Sequence, residues 1–345
     1  MHVLHAADYG NPVAGSFIPA LAALARRLRD DGHTMTLVAP QIDGATWHDH
    51  VRDAGATLVL VASPQAAADA VRSMRPDVAH IHFFGYYLPV TRALHGTGTR
   101  IFWHMHSYVP NVGSLKERVK GFVRYRLLAR PVERFVAVSE AIAAELRIAS
   151  APADKISVVP NGVDMERFRP PTTQERAEAR AMLGIAPDQI VHLFFGRDRH
   201  IKGADTLERA IERVPGRTLL VVGATRETLE RLQPHSNVVD VESVNDTRPL
   251  FWAADSIVVP SRGEGFSYAL VEGLACGLPA IVSSIRPLLD VSSGVANVRV
   301  ITVDNFIALA SALELTTIRG GQPRAQAILR YDLGHWVTRT RALYS

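Results

Sequence analysis

An alternation of short apolar strands with amphipathic helices constrains the fold most, and it runs twice along the 345 residues. This alternation is typical of parallel α/β sheets. Phe17 to Asp30 reads as the first helix, because its leucines recur on one face. The strands of the first series are predicted at Val3–Ala6, Thr34–Ala39, Thr57–Val61, Val78–His82, Ile101–His106, Phe135–Val138 and Ile156–Val159.

A turn cluster at 160–164 and a linker-like stretch at 169–174 separate the two series. The second series is predicted at Ile190–Phe195, Thr218–Val222, Val238–Val241, Ser256–Pro260 and Pro279–Ser283. We therefore expect one domain over residues 1–165, a second over 166–330 and a terminal segment over 331–345. Two open parallel sheets in tandem imply a cleft between them, with ligands beyond the carboxyl ends of the strands.

Composition limits the class of protein. No apolar run approaches the ~20 residues that span a bilayer, and the start of the chain lacks the zones of a signal peptide. A single cysteine, Cys276, excludes an internal disulfide and fits a reducing compartment, so we expect a cytoplasmic protein. The pI of about 9.4 is basic, but no zinc-ligand spacing or nucleic-acid-binding signature accompanies it. Nucleic acid is not expected as a partner.

The segment 261–279 carries the strongest chemical signal. Glu264 follows a predicted strand, and Glu272 lies seven intervening residues later in a predicted helix. The free amides at the start of that helix, together with its dipole, favour phosphate. A carboxylate in the helix can accept hydrogen bonds from both hydroxyls of a ribose. The residues expected at the helix start are Gly265, Phe266, Ser267 and Tyr268.

A second loop, 196–203, follows another apolar strand and carries, between two glycines, two cations five residues apart, Arg197 and Lys202. Arg197 can bind a diphosphate bidentately, and Lys202 can bind it as a point charge. Gly196 opens this loop. Arg199 is expected to face solvent.

Histidines occur in two alternating pairs, His80 with His82 and His104 with His106, so each pair shares one face of a strand. A metal site is disfavoured, because no carboxylate or cysteine is spaced to complete it and no Asp-x-Asp motif is present. Hydrogen-bonded interior histidines are the alternative. Near the start of the chain, Gly15-Ser16 could allow close approach of the backbone to a ligand, although every αβ unit has such a turn.

Together these motifs resemble glycosyltransferase family 4, whose members are mostly retaining and have the GT-B fold, two Rossmann-like domains facing each other across a deep cleft. The resemblance implies that Glu264 contacts the transferred sugar, that Glu272 holds the ribose, and that Arg197 and Lys202 hold the leaving diphosphate. It likewise implies that His106 contacts the donor sugar. The remaining implied positions are His82 and Ser16 on the acceptor side, Gly15 near the phosphates, and a terminal helix returning to the first domain.

The sequence departs from the family pattern at Ser267-Tyr268 and at Gly273, which leaves the donor sugar open. The expected reaction is retaining transfer of a hexose-type sugar to a glycan, lipid-linked or small-molecule hydroxyl. A UDP-sugar is the favoured donor and GDP-mannose the next, and neither metal nor cofactor is expected. Glu264 as a covalent nucleophile is the competing mechanism. A nucleotide-sugar epimerase and a non-catalytic nucleotide-sugar-binding protein are the alternative functions.

Residues 114–134 combine basic and apolar side chains, which suits peripheral attachment to an anionic membrane at its inner face. The alternative is a structural role, in which a surface helix packs its apolar side on its own domain. The basic residues are Lys116, Arg118, Lys120, Arg124, Arg126, Arg130 and Arg134, against Glu117 and Glu133.

Overall fold

A computed structural model describes residues 1–197, 199–234, 237–316, 324 and 326–345. The chain forms two compact units. The first unit comprises Met1–Gly162 with Leu333–Ser345, and the second comprises Val163–Asp332.

The first unit is built on a seven-stranded sheet whose strand pairs are all parallel. Its strands are β1 His2–Ala7, β2 Thr34–Pro40, β3 Thr57–Val61, β4 Val78–His82, β5 Arg100–Met105, β6 Val132–Ala137 and β7 Ile156–Val158. Their order across the sheet is β3-β2-β1-β4-β5-β6-β7. The chain therefore reverses direction across the sheet between β1 and β4, and such a switch point is where ligands bind in doubly wound sheets.

The helices of the first unit are α1 Phe17–Asp30, α2 His48–Asp53, α3 Pro64–Met74, α4 Phe84–Leu94, α5 Leu115–Phe122 and α6 Glu140–Ile148. A π-helical segment, Val123–Leu128, continues α5. Helix α1 forms because Leu21, Leu24 and Leu28 share one face, and all three are fully buried. Trp336 and Tyr344, from the terminal segment, lie in the same hydrophobic cluster.

The second unit repeats the plan with a six-stranded parallel sheet in the order β10-β9-β8-β11-β12-β13. Its strands are β8 Val191–Phe195, β9 Thr218–Val222, β10 Asn237–Val241, β11 Ser256–Val259, β12 Ala280–Ser283 and β13 Val298–Ile301. The helices of the second unit are α7 Thr173–Met182, α8 Ala204–Ile211, α9 Arg226–Leu232, α10 Arg248–Ala253, α11 Tyr268–Ala275, α12 Arg286–Ser292 and α13 Phe306–Glu314. The last helix of the chain, α14 Leu333–Ala342, belongs to the first unit. The switch point here lies between β8 and β11, so the loops after these two strands are placed to hold a ligand.

Within the described residues, no helix combines the length and the apolar character that a membrane span requires. Strand β13 was not predicted. Strand β5 ends at Met105, one residue earlier than expected, so His106 lies in the loop at the carboxyl edge of the sheet.

Candidate functional site

In the second unit, the loops that follow β8 and β11 bring Lys202 and Glu264 together. Lys202 Nζ donates to Glu264 Oε1 at 2.7 Å, and Ser261 Oγ donates to the same oxygen at 2.9 Å. Glu264 is buried, with 8% of its surface exposed, whereas the Lys202 side chain is 30% exposed. The carboxylate is thus fixed through one oxygen beside a cation that water still reaches.

Close packing holds these two loops against each other. Gly203 has φ +70°, and a Cβ there would lie 2.2 Å from the carbonyl oxygen of Pro260. Only glycine tolerates both the left-handed conformation and this approach. Gly203 therefore sets the distance between the Lys202 loop and the Glu264 loop.

Arg262 is a positioning residue that the sequence did not single out. Its guanidinium forms a bidentate pair with Asp205, at 2.7 and 2.8 Å, and a third contact with Asp304 at 2.6 Å. It also donates to the carbonyl oxygen of His200 at 2.6 Å. Bonding to Asp205 raises the pKa of Arg262 further, so the side chain is permanently charged. Arg262 fastens the Glu264 loop to the Lys202 loop, and only the tertiary structure reveals these partners.

Helix α11 begins at Tyr268, and the side chain of its N-cap residue, Ser267, makes no capping hydrogen bond. Glu272 is buried as the fifth residue of the helix, little more than one turn from its start. The residues expected before it, Gly265, Phe266 and Ser267, are buried, and Tyr268 is half-buried. The amide-bearing start of the helix therefore follows Glu264 directly.

Gly273 has a packing role. A Cβ at this position would lie 3.0 Å from Cγ2 of Ile257 on β11. The departure from the family pattern at this residue thus affects the contact between α11 and β11.

Arg197 and Gly196 occupy the start of the loop after β8. Gly196 is buried, and a Cβ there would meet the ring of Phe194 at 2.8 Å. Arg197 is exposed, and its guanidinium lies 3.5 Å from Ser243 Oγ. Arg199 was expected to face solvent, and this expectation is wrong. The side chain is half-buried because it pairs with Glu208 and lies 3.8 Å from Glu227.

In the first unit, Gly15 and Ser16 precede α1 at the carboxyl edge of β1. Gly15 has φ +55° and is exposed, and Ser16 is the N-cap residue of α1. Tyr9 stabilises this loop, because its hydroxyl lies 3.0 Å from the carbonyl oxygens of both Val13 and Ala14. Phe17, the first residue of α1, packs edge-on against His82 and His106, with centroid distances of 5.1 and 5.4 Å.

Residues at the ends of β4 and β5 complete this edge. His82 is fully buried, and its Nδ1 lies 2.9 Å from Nε2 of His106. Phe83 stacks on His106 at 4.6 Å and has φ +67°, which is strained for a residue with a side chain. The sequence-predicted residues Gly15, Ser16, His82 and His106 therefore lie around one strained turn of the first unit.

Five histidines of the first unit lie together: His5, His80, His82, His104 and His106. Burial lowers the pKa of His5 and of His104 to about 3, and it also keeps the pKa values of His80 and His82 well below the usual range. The rings are therefore neutral at pH 7. Two triplets among them have ligand atoms within 4.8 Å of one another, the spacing at which a metal ion could be held: His5, His80 and His82, and His82, His104 and His106.

The surface formed by residues 115–128 exposes apolar side chains. This contradicts the alternative in which the apolar side of the helix packs on its own domain. Leu115 is 78% exposed and Leu127 is 55% exposed. The helix packs on its unit through Gly121 and Tyr125 instead: Tyr125 is buried, and a Cβ on Gly121 would meet the carbonyl oxygen of Ala149 at 2.4 Å. We call this set of side chains the apolar stripe: Leu115, Val119, Phe122, Val123, Leu127 and Leu128.

Comparison with known families agrees with this architecture. Residues 20–167 match the sequence profile of Glycosyltransferase Family 4, and residues 189–316 match that of Glycosyl transferases group 1. The first profile corresponds mainly to the first unit, and the second profile lies within the second unit. Together they cover most of the chain. The protein belongs to the family 4 glycosyltransferases and has their GT-B fold of two Rossmann-like domains.

Among individual proteins, the chain is similar to D-inositol 3-phosphate glycosyltransferases. The enzyme of Segniliparus rotundus is 31% identical over 67% of this chain and 55% of its own length. That of Xylanimonas cellulosilytica is 35% identical over 46% of this chain and 44% of its own. The matched region thus spans about half the length of these relatives.

Solved structures share the fold at low sequence identity. Anabaena HepE in complex with UDP-glucose has a TM-score of 0.83 and 18% identity over 99% of this chain and 100% of its own. Sucrose-phosphate synthase from Thermosynechococcus elongatus has a TM-score of 0.78 and 19% identity over 100% of this chain and 98% of its own.

Proposed function

We propose that this protein is a retaining glycosyltransferase that moves a hexose-type sugar from a nucleotide diphosphate sugar to a hydroxyl acceptor. The observation that carries the proposal is the Lys202–Glu264 pair, placed beside the start of α11 at the switch point of the second sheet. A cation, a fixed carboxylate and the start of a helix form a set suited to a sugar diphosphate.

Each residue of the set has a distinct role in this proposal. Lys202 has two further N–H donors beyond the bond to Glu264. These donate to the leaving diphosphate, and the positive charge of the ammonium stabilises it. Glu264 Oε1 is occupied by Lys202 and Ser261, so Oε2 accepts a hydroxyl of the transferred sugar. Arg197 is exposed on the same loop as Lys202 and adds a second cation for the diphosphate.

Retention follows if the acceptor attacks from the side that the diphosphate leaves. The departing phosphate oxygen then takes the acceptor proton, so no protein nucleophile is required. Fixed positive charge around the leaving group supplies most of the catalysis, as preorganised electrostatics do elsewhere. The bonds from Lys202 and Ser261 to Glu264 favour positioning over covalent attack by this carboxylate.

A UDP-sugar is the favoured donor, and GDP-mannose is the next. HepE, which shares the fold, was solved with UDP-glucose. For the acceptor, the relatives that act on D-inositol 3-phosphate favour a small phosphorylated polyol, beside the glycan and lipid-linked acceptors that the family admits. We propose that the reaction needs neither cofactor nor metal, because Arg197, Lys202 and the start of α11 supply the positive potential.

We further propose that the apolar stripe attaches the first unit to an anionic membrane. Six of the thirteen large apolar side chains that are exposed among the described residues belong to it. Lys116, Arg118, Lys120, Arg126 and Arg130 surround it and are exposed. Apolar side chains ringed by cations match the interface of a bilayer that carries negative headgroups.

Thermal unfolding with a panel of UDP-, GDP-, ADP- and dTDP-sugars, with and without EDTA, tests the donor and the metal. A donor at ~100 times its dissociation constant should stabilise the protein by about 2.7 kcal/mol. We expect one nucleotide class to stabilise and EDTA to change nothing. Stabilisation and turnover that vanish with EDTA and return with Mg²⁺, Mn²⁺ or Zn²⁺ would contradict the metal-free proposal.

The same preparations separate the alternative functions. An epimerase would interconvert nucleotide sugars without an acceptor. A non-catalytic binding protein would be stabilised by the donor yet release no nucleoside diphosphate.

A further inference from the structure

The five histidines and Tyr344 form one continuous hydrogen-bonded chain in the first unit. From His106, the bonds run from Nε2 to His82 Nδ1 at 2.9 Å, and from His82 Nε2 to His5 Nδ1 at 2.9 Å. His5 Nε2 then lies 3.2 Å from the Tyr344 hydroxyl, which lies 2.7 Å from His80 Nδ1. The last bond joins His80 Nε2 to His104 Nδ1 at 3.1 Å.

A neutral imidazole carries one N–H and one lone pair, so a ring bonded at both nitrogens must donate once and accept once. Consequently, reversing one bond in the chain reverses its neighbours as well. Burial keeps these rings neutral, and desolvation lowers the pKa of His106 too. When the Tyr344 hydroxyl donates to one neighbouring ring and accepts from the other, only two arrangements are consistent: every ring protonated at Nε2, or every ring protonated at Nδ1.

The distances at Tyr344 decide between them. Hydroxyl donors make short bonds of about 2.7–2.8 Å, whereas N–H···O bonds are typically about 2.9–3.0 Å. The 2.7 Å contact is therefore Tyr344 donating to His80, and the 3.2 Å contact is His5 donating to Tyr344. His82 must then donate to His5, and His106 must donate to His82 from its own Nε2.

We propose that Tyr344 and His80 are positioning residues that fix His106 as its Nε2–H tautomer, so that His106 presents an Nδ1 lone pair to its ligand. Neither residue contacts His106; both act along the chain. The ligand this tautomer accepts is a hydroxyl that donates a hydrogen bond, which on the proposed function is a hydroxyl of the sugar substrate. At the other end of the chain, this direction makes His104 Nε2–H a buried donor with no partner among the described residues, and the short bond from Tyr344 to His80 must offset that cost.

Histidine-selective ¹⁵N labelling tests the tautomer directly, since long-range ¹H–¹⁵N correlations distinguish Nε2–H, Nδ1–H and imidazolium. The spectra are recorded without nucleotide sugar, on protein whose zinc content has been measured, so the result is independent of the proposed function. We expect His106 to be Nε2–H in the unchanged protein. In Tyr344→Phe, the His5 donor loses its acceptor, so His106 should change to Nδ1–H, which water can accept at this half-exposed ring.

A second pair of variants, His80→Leu and His80→Asn, tests the same tautomer prediction if Tyr344→Phe is unstable. In His80→Leu, the freed Tyr344 hydroxyl should donate to His5 and reverse the bonds as far as His106. In His80→Asn, the amide oxygen replaces Nδ1 as acceptor and should restore Nε2–H at His106. Tyr87→Phe is the matched control, because this buried hydroxyl donates to the backbone oxygen of His104 and lies outside the chain.

Turnover gives the functional readout. His80→Leu should lower kcat/KM roughly tenfold, about the worth of one hydrogen bond, and His80→Asn should recover it. The loss should disappear with the deoxyfluoro donor that lacks the donated hydroxyl. Nδ1–H at His106 in the unchanged protein, an unchanged tautomer in both disrupting variants, an imidazolium at pH 7 or bound zinc on these rings would each overturn the proposal.

Discussion

At the scale of single residues, the Lys202–Glu264 pair carries the proposed chemistry. Lys202→Ala should reduce kcat by ~10²-fold or more, because its charge matters most when the diphosphate leaves. Arg197→Ala should do the same through the second cation. The measurement is steady-state turnover, with Arg226→Ala as control, an arginine of the same unit whose side chain is 93% exposed. Near-normal turnover in both variants would remove the two cations from the mechanism.

Glu272 should act on binding instead. Glu272→Ala removes a charged acceptor for two ribose hydroxyls and should weaken nucleoside diphosphate binding by about 1.5–3 kcal/mol. Calorimetric titration of the free nucleotide measures this, beside Glu230→Ala, which removes an exposed glutamate of the same unit. Equal affinity in the two variants would exclude ribose as the partner of Glu272.

Residue-level prediction was possible where a motif is contiguous. Lys202 and Glu264 could be proposed from their loops, although their direct contact could not. Arg262 was missed because its partners Asp205 and Asp304 are distant in sequence and carry no pattern. His5 and Tyr344 were missed for the same reason, since they join the other histidines only through the packing of β1 and the terminal segment.

At the scale of elements, the apolar stripe makes the clearest prediction. The protein should sediment with anionic vesicles at low salt and dissociate at high salt, because each basic residue contributes ~1 kcal/mol near such a surface. Phe122→Ser with Leu127→Ser should weaken this binding by removing inserted side chains. Met182→Ser is the control, an exposed apolar residue of the second unit. Equal, negligible binding to anionic and neutral vesicles would contradict membrane attachment.

Elements with strong periodicity were predicted well. Helix α1 was expected at the residues where it is found, because a regular leucine face determines it. Strand β13 was missed because it is a four-residue edge strand with only one buried residue. The helix expected over 114–134 divides into α5 and a π-helical segment, and local propensity does not encode that change of hydrogen bonding.

At the scale of the whole molecule, the buried histidines should make stability strongly dependent on pH. Burial holds the pKa values of His5, His80, His82 and His104 below the 6.5 of the unfolded chain. Above pH 6.5 both states are neutral and stability is complete. Below it the unfolded state gains protons and the folded state does not, so each ring removes ~1.4 kcal/mol per pH unit until its folded pKa is reached.

Urea unfolding between pH 7.5 and 5 measures this slope. We expect the free energy of unfolding to fall steeply below pH 6.5, and less steeply in His80→Asn, which has one ring fewer to protonate. A flat profile between pH 6.5 and 5 would contradict the buried, neutral state of the cluster.

The two-domain α/β architecture was predictable because each sheet repeats the same strand–helix alternation. Substrate identity was not, because loops of the same fold receive different sugars and acceptors. Both candidate sites nevertheless lie at the switch points of their sheets. The position of each switch point follows from the order of the strands in the sheet.

The central claim is retaining sugar transfer, and NMR of one reaction tests it most directly. The protein is incubated with the stabilising nucleotide sugar and a panel of phosphorylated polyol, glycan and lipid-linked acceptors, and the anomeric coupling of the product is compared with that of the donor. We predict release of nucleoside diphosphate together with a glycoside of the same anomeric configuration as the donor. An inverted product, a new nucleotide sugar formed without acceptor, or donor binding with no release of nucleoside diphosphate would contradict the account.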